Sequence, residues 1–209
     1  MNANPCLQAS ALSCTRQHST LFTDLNFVLY PKELLLVQGA NGAGKSSLLR
    51  LLTGLATPAR GNITWNGENI ASVREQYQHD LHYLGHDNGL KLHLTLQENL
   101  QLAAHLSLTT YAGFENILHA LQLAPLQHEY AKNISAGQKR RLALAKIFLL
   151  PRKLWILDEP LTALDADTQI YFLSQLQMHL QQGGMAIISS HHAIHLPDQI
   201  IKNLRLSAC

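Results

Sequence analysis

Eight consecutive residues have the types and spacing that bind the phosphates of a nucleoside triphosphate. They fit the pattern G-x-x-x-x-G-K-[ST], and they are Gly39, Ala40, Asn41, Gly42, Ala43, Gly44, Lys45 and Ser46. The glycines allow the backbone to wrap around a triphosphate. The N–H groups of the helix that follows, predicted from Ser46 and Ser47 onward, direct positive partial charge at it. Lys45 can reach the β- and γ-phosphates, and the Ser46 hydroxyl can ligate Mg²⁺. The alternative is a glycine turn that binds nothing, but such a turn does not need Lys-Ser after its last glycine.

Two adjacent carboxylates end an apolar run that is typical of a buried strand. The run is Leu154-Trp155-Ile156-Leu157-Asp158-Glu159-Pro160. Asp158 is placed to hold Mg²⁺, directly or through water, and Glu159 is placed to orient and polarise an attacking water. The alternative is that the pair caps a helix. The order of the motifs, with the carboxylates after a phosphate-binding loop, favours the catalytic interpretation.

A loop of small residues, Ser135-Ala136-Gly137-Gln138, precedes a long helical pattern. The basic run 139–141 follows, and we expect it in the first turn of that helix. Cations there oppose the helix dipole, at a cost of a few tenths of a kcal/mol each. A docked anion would remove this conflict, and the alternative is a solvated basic turn.

Two histidines follow predicted strands, at the sheet edge where ligands of open α/β sheets bind. His191 follows the predicted strand 185–190, and His86 follows the predicted strand 81–85. The alternative for His86 is an exposed loop residue. The spacing His191-His192-x-x-His195 also permits a metal site, but no Glu lies between the histidines and no third ligand type is near.

The pattern of elements around these residues predicts an α/β fold. A buried strand precedes the phosphate loop and a helix follows it, and three short strands (residues 6–13, 21–30 and 62–67) predict an antiparallel flap with apolar residues Phe22, Leu25, Phe27 and Leu29 on one face. Helical spacing covers 95–106, with Thr95 and Glu98 as a capping box, and 111–124, which Pro125 ends. A further helix is expected up to about Gln181. We therefore expect one domain over 1–209: a mixed sheet core with an antiparallel β subdomain and a helical subdomain inserted at about 86–150.

Composition limits the classes of function. The 209 residues are 46% hydrophobic with a formal net charge of +2 and pI near 8.5, which favours neither a nucleic-acid partner nor its absence. Three cysteines without C-x-x-C spacing are typical of reduced thiols in a cytosol-like compartment. There is no signal-peptide pattern and no apolar run of about 18 residues or more, so we expect any membrane role to come through a partner.

Together these motifs resemble the nucleotide-binding subunit of ATP-binding-cassette (ABC) transporters, in that family's order and over nearly the whole chain. The resemblance implies that two such subunits close head to tail on two ATP molecules with Mg²⁺, so that the loop 39–46 of one faces the Ser135–Gln138 signature of the other. It implies that Lys45, Glu159 and His191 are catalytic, with His191 contacting the γ-phosphate. It also implies that Asp165 couples the two sites.

Three positions depart from the usual pattern of that family. His86 holds the place of the Q-loop glutamine, so its coupling role becomes pH-sensitive in principle. Ala136 replaces the first glycine of Ser-Gly-Gly-Gln. Arg16 falls near the aromatic residue that stacks on adenine, and a guanidinium can also stack on a base.

One subfamily is similar in two of these departures, His86 and Ala136: CcmA, the ATP-binding subunit of the cytochrome c maturation system. The matching stretches are Gly85-His86, Leu94-Thr95-x-x-Glu98-Asn99-Leu100, Ser135–Gln138, Leu154–Pro160, Thr53-Gly54-Leu55 and Gln182-Gly183-Gly184. The resemblance implies a haem exporter, or an ATPase that releases a haem-loaded chaperone, at the cytoplasmic face of the bacterial inner membrane with CcmB, CcmC and CcmD. No nucleic-acid partner is expected. The alternatives are another ABC exporter, a soluble ABC protein acting on DNA or ribosomes, and a small-molecule P-loop kinase, which would lack the Ser135–Gln138 signature.

Overall fold

The computed structural model describes residues 6–16, 19–107, 113–191 and 193–207. The chain forms two compact units. The first unit comprises Met1–Tyr83, Arg152–Glu159 and Gln177–Cys209, and the second comprises Leu84–Pro151 and Pro160–Leu176. The interpretation of 1–209 as one domain with a helical subdomain at about 86–150 stays a prediction.

Within the described residues the elements follow in this order: β1 (Leu7–Arg16), β2 (Ser19–Leu29), β3 (Glu33–Gln38), α1 (Lys45–Leu52), β4 (Arg60–Trp65), β5 (Glu68–Asn69), α2 (Arg74–Asp80), β6 (Leu81–Leu84), α3 (Leu96–Leu106), α4 (Phe114–Ala120), a 3-10 turn (Ala124–Leu126), α5 (Ala136–Leu149), β7 (Leu154–Asp158), α6 (Ala166–Gln181), β8 (Met185–Ser189) and β9 (Ile200–Arg205).

The predicted antiparallel flap is present as a sheet of order β2-β1-β4-β5. Asn66 and Gly67 form the turn between β4 and β5, and both have positive φ, 55° and 87°. This is the type I′ geometry that Asn-Gly favours. In β2 the backbone of Asp24 is left-handed, with φ of 51°. The register shifts opposite it, which explains why the predicted apolar residues do not alternate strictly.

The site is carried by a parallel sheet of order β6-β7-β8-β3-β9. The strands β3, β7 and β8 are buried along nearly their whole length, as their unbroken apolar runs predict. The edge strand β9, which pairs with β3, was not predicted. Its residues 200–205 mix apolar and polar types and are half-exposed or exposed, so they lack the signal of a buried strand.

Helix α2 was also not predicted, and it holds the end of α1 in place. The Tyr77 hydroxyl donates to the carbonyl oxygen of Leu52 at 2.6 Å, and Gln78 Nε2 donates to that of Thr53 at 2.7 Å. These bonds satisfy carbonyl groups that a helix end leaves without a partner in the helix. Burial raises the pKa of Tyr77. The helix behind the phosphate loop is therefore fixed at its C-terminal end.

The second unit contains α3, α4 and α5 around an apolar core of leucine and alanine side chains. The capping box of Thr95 and Glu98 is confirmed, with both reciprocal bonds present. Helix α4 is shorter than predicted. It ends at Ala120, because the chain turns through a left-handed Gln122, whose φ is 54°, before it reaches Pro125. Residues 111 and 112 of the predicted helix lie outside the described residues.

The C-terminal part of α6, within the first unit, packs on β7 through a pair of stacked rings. The His179 imidazole lies parallel to the Trp155 indole, with 4.0 Å between centroids and 7° between planes. His179 Nε2 lies 3.0 Å from the carbonyl oxygen of Met185. Burial lowers the pKa of His179 from 6.5 to about 4, against the opposing effect of that hydrogen bond. In the part of the chain that the structure describes, no helix combines the length and hydropathy needed to cross a bilayer.

Candidate functional site

The phosphate loop joins β3 to α1, as the motif predicts. Gly44 is the N-cap of α1 and has φ of 94°, and Gly42 has φ of 83°. A Cβ added to Gly39 would lie 2.6 Å from the backbone oxygen of Leu206. Gly44 contributes no side-chain cap, so the first N–H groups of α1 remain oriented for an anion at the helix start.

Lys45 is 8% exposed and lies over its own loop. Its Nζ donates to the carbonyl oxygens of Gly39 at 2.9 Å and Ala40 at 3.3 Å. Ser46 is exposed at the start of α1, and Ser47 is half-buried. The loop thus presents one ammonium group, two hydroxyls and backbone N–H groups, which is the chemistry that a triphosphate requires.

The two predicted carboxylates lie at the carboxyl end of β7, within the same unit as the loop. Asp158 is the last residue of β7 and is 4% exposed. Glu159 follows with φ of 49°, a left-handed conformation that is uncommon outside glycine and recurs at functional sites. The β7 backbone therefore turns sharply between the two acids.

A residue that sequence reasoning missed contacts both acids. The Ser189 hydroxyl donates to Asp158 Oδ1 at 2.5 Å and accepts the backbone N–H of Glu159 at 2.9 Å. Ser189 ends β8, directly beside Asp158 in the sheet register. In the sequence, a serine at the end of an apolar run was the only sign of this residue. The order of the strands is needed to show that Ser189 lies beside Asp158.

His191 joins the carboxylate to the phosphate loop. Its Nε2 lies 3.2 Å from Glu159 Oε1 and 3.4 Å from Lys45 Nζ. The contact with Glu159 is an ion pair only when the imidazole is protonated, whereas an unprotonated Nε2 accepts from Lys45 Nζ. The structure therefore brings together the three residues predicted to be catalytic.

Mg²⁺ was predicted at Ser46 and Asp158, and the donor set fits it. A hydroxyl and a carboxylate are the hard oxygen ligands that Mg²⁺ takes beside phosphate oxygens. The alternative metal site at the histidines includes His192, which lies outside the described residues. Among the residues that are described, no group of three His, Cys, Asp or Glu side chains converges.

The signature residues lie in the second unit and begin α5. Ser135 is the N-cap: its hydroxyl accepts the N–H of Gln138 at 3.2 Å, and Gln138 Oε1 accepts the N–H of Ser135 at 2.8 Å. Sequence reasoning missed this capping box, although S-x-x-Q is its pattern. The Ser135 hydroxyl proton and the Gln138 amide N–H groups remain donors. Ser135 and Ala136 are exposed.

The expected basic first turn of this helix is only partly present. The helix begins at Ala136, so Lys139 is its fourth residue, at the end of the first turn, and the two arginines lie in the second turn. Arg140 is buried and donates to the carbonyl oxygen of Gly85 and to Asn88 Oδ1, both at 3.1 Å. Arg141 donates to Gln122 Oε1 at 3.1 Å. Hydrogen bonds to groups of this chain therefore satisfy both guanidinium groups, and no bound anion is needed to explain them.

Asp165 lies near the signature helix within the second unit. Its Oδ1 accepts the N–H of Thr168 at 2.8 Å, and its Oδ2 lies 3.8 Å from Arg141 Nη1. The bond from the Thr168 N–H, aided by the Thr168 hydroxyl and Arg141, lowers the pKa of Asp165. Asp165 thus caps the start of α6. A Cβ on Gly137 would lie 3.0 Å from the carbonyl oxygen of Ala163, so α5 and the segment before α6 touch there.

The two remaining predicted residues are exposed. His86 lies in the loop after β6, and Arg16 ends β1 opposite Ser19. Gln17 and His18, next to Arg16, lie outside the described residues. The roles of His86 and Arg16 stay predictions.

Comparison with known proteins decides the family. Residues 22–162 match the family model described as "ABC transporter". A "Cytochrome c biogenesis ATP-binding export protein CcmA" from Dechloromonas aromatica is 43% identical, over 96% of this chain and 99% of that protein. The chain belongs to the CcmA family of ABC transporter ATP-binding proteins. Family members of the same name from Methylococcus capsulatus (44% identical, 90% and 92% covered) and Escherichia coli K12 (38% identical, 96% of both covered) are similar.

Solved structures agree with the CcmA family's fold. The ATP-binding subunit of an ABC transporter has a TM-score of 0.81 at 30% identity, over 88% of this chain and 79% of that one. An ABC transporter ATP-binding protein from Pyrococcus furiosus has the same TM-score at 23% identity, over 96% and 97%, which shows the fold alone. The predicted ABC ATPase fold and ATP as the nucleotide are confirmed.

Proposed function

We propose that this chain is the ATP-hydrolysing subunit of an inner-membrane ABC complex for cytochrome c maturation. The observation that supports it most is the meeting of Lys45, Glu159 and His191 within hydrogen-bonding distance, in a chain of the CcmA family. The names of its relatives give the process, cytochrome c biogenesis, and the type of activity, export.

Each residue has a role set by its chemistry. The loop 39–46, with its Lys45, and the Ser47 that follows it hold the phosphates. Ser46 and Asp158 would hold Mg²⁺, which would supply charge neutralisation at the phosphate oxygens. Glu159 accepts a proton from the attacking water at its carboxylate. His191 Nε2 lies between the two groups: it pairs with Glu159 when the imidazole is protonated and accepts from Lys45 when Nε2 carries no proton.

The second half of each site comes from a second copy of the chain. In this proposal, Ser135 to Gln138 of one subunit face the ATP of the other, and the N-terminus of α5 directs its dipole at the γ-phosphate. The exposed Ser135 and its remaining hydroxyl proton support this role. Asp165 couples the two sites, His86 responds to the nucleotide, and Arg16 stacks on adenine.

The partners proposed are membrane permease subunits, CcmB with CcmC and CcmD, which place the chain at the cytoplasmic face of the inner membrane as a peripheral protein. The surface formed by residues 86–105 is proposed to dock the permease. Leu92 is 47% exposed there, and Lys91 is exposed beside it. Reversing the charge with Lys91→Glu is expected to reduce co-purification with CcmB. Unchanged co-purification would remove this stretch from the interface.

The cargo proposed is haem, or a haem-loaded chaperone that ATP hydrolysis releases. The test is deletion of the gene followed by haem staining of c-type cytochromes on a denaturing gel. We expect covalent haem bands to disappear, to return with the wild-type gene, and to stay absent with Glu159→Gln. Normal bands in the deletion strain would move the chain to another ABC exporter and leave ATP hydrolysis untouched.

A further inference from the structure

The centre of the site edge holds a buried side chain that the roles above do not use. Ser189 is the last residue of β8 and is 0% exposed. In the parallel sheet it lies beside Asp158 of β7 on one side and Val37 of β3 on the other. The strands β3 and β7 lead directly into the phosphate loop and the carboxylates. Ser189 therefore lies where the three strands that carry the site end.

The two hydrogen bonds of its hydroxyl join the side chain of one acid to the main chain of the other. Oγ donates to Asp158 Oδ1 at 2.5 Å and accepts the Glu159 N–H at 2.9 Å. A serine hydroxyl has one donor hydrogen and two acceptor lone pairs, so it makes both bonds at once. The bond to the carboxylate is charge-assisted, and its length is typical of the short O–H···O⁻ class.

The Glu159 backbone depends on such support. Its φ of 49° is a left-handed conformation that side chains other than glycine seldom adopt. Conformations of this kind persist where surrounding contacts fix them. The Glu159 N–H also approaches the Ser189 carbonyl oxygen at 3.2 Å. Without the hydroxyl, the shorter of these two contacts would be lost, and the direction of the Glu159 side chain would be less well defined.

We infer that Ser189 is a positioning residue for ATP hydrolysis: its hydroxyl fixes the Asp158 carboxylate and the Glu159 backbone relative to each other. This inference rests on the ATP hydrolysis proposed above. This role affects the rate of hydrolysis separately from nucleotide binding, because Ser189 is not one of the phosphate-loop groups that hold ATP. Loss of the hydroxyl therefore slows hydrolysis and leaves the affinity for ATP without Mg²⁺ unchanged, because Asp158 contributes to ATP binding only through the metal. If Ser189 only filled space, its loss would not lower the rate of hydrolysis selectively, and threonine would not restore that rate.

The experiment compares Ser189→Ala, Ser189→Thr and Ser189→Cys with the wild-type chain, each purified with the membrane subunits it binds. Ser189→Ala is expected to lower kcat about tenfold, which is about 1.4 kcal/mol of the barrier. The Kd for a fluorescent ATP analogue, measured without Mg²⁺, is expected to stay within about twofold of wild type, since the phosphate loop does not depend on this hydroxyl. Ser189→Thr restores the hydroxyl and most of kcat. Ser189→Cys, with a weaker donor on a slightly larger atom, falls between Ala and wild type.

The matched control is Ile188→Val on the same strand. Ile188 is also 0% exposed and pairs with Leu157, so this change loosens packing in β8 and removes no hydrogen bond. It is expected to leave kcat unchanged. A kcat for Ser189→Ala within twofold of wild type, or an equal loss in Ile188→Val, would overturn the inference alone. A wild-type complex that does not hydrolyse ATP would overturn the proposed function, and the inference with it.

Discussion

The buried His179 predicts that acid destabilises the chain. Its imidazole is stacked on Trp155 and its pKa is lowered from 6.5 to about 4, chiefly by burial. The folded state therefore holds the neutral ring over a range in which the unfolded chain binds a proton. The stability that the neutral ring contributes is complete above pH 6.5, and it is lost as the pH falls from there through about 4.

The magnitude follows from the two pKa values. Between about pH 7.5 and about pH 5, protonation of the unfolded imidazole alone lowers the free energy of unfolding by about 2 kcal/mol. Other carboxyl and imidazole groups add their own pH dependence, so the measurement is a difference between two proteins. His179→Phe keeps a flat ring against Trp155 but does not titrate. It serves as the reference because only the change in its stability between the two pH values is compared with that of the wild type.

The assay is urea unfolding followed by circular dichroism at the two pH values, for both proteins. The wild type is expected to lose about 2 kcal/mol more than His179→Phe over this interval. Equal losses in the two proteins would refute the reasoning, because they would show that the folded chain accepts a proton on His179 as readily as the unfolded chain does.

Three further changes test the phosphate loop and its support. Lys45→Ala is expected to weaken binding of a fluorescent ATP analogue about tenfold or more, since it removes a charge-assisted contact; unchanged affinity would contradict the loop's assignment. Gly39→Ala is expected to lower the free energy of unfolding by about 1–3 kcal/mol, because its Cβ would lie 2.6 Å from the backbone oxygen of Leu206. Gly42→Ala is the control, because Gly42 also has a positive φ but a Cβ added there would meet no atom within 4 Å. An equal loss of stability in both variants would show that backbone strain alone causes it. Tyr77→Phe is expected to cost about 1–3 kcal/mol in the same urea assay, since it leaves a buried carbonyl at the end of α1 without its hydroxyl partner; an unchanged midpoint would show that the bond contributes nothing net.

The sequence predicted the elements that have a strong local signal. The phosphate loop and the strand ending at Asp158 are defined by contiguous motifs, and the capping box of Thr95 by two residues three apart. The strands of the flap were predicted from their short apolar runs. In each case the residues that determine the element are close neighbours in the chain, so the element can be predicted from one sequence.

What the sequence did not predict depends on contacts between distant residues. Strand β9 is an edge strand with a mixed pattern, and it is recognisable only once β3 is beside it. Ser189 is an ordinary strand end until the register places it against Asp158. The hydrogen-bond partners of Arg140 lie more than fifty positions away in the chain. The sequence therefore predicted the unfavourable interaction of this cation with the helix dipole but not the hydrogen bonds that offset it.

The measurement that tests the central claim most directly is ATP hydrolysis and ATP-dependent dimerisation by the wild type and by Glu159→Gln. The claim is that Glu159, held by His191 beside Lys45, activates the attacking water. It predicts phosphate release by the wild type and a loss of about 10²-fold or more in the variant, with ATP retained and a stable dimer in ATP–Mg²⁺ by light scattering. A variant that hydrolyses ATP at the wild-type rate and stays monomeric with ATP–Mg²⁺ would contradict the claim.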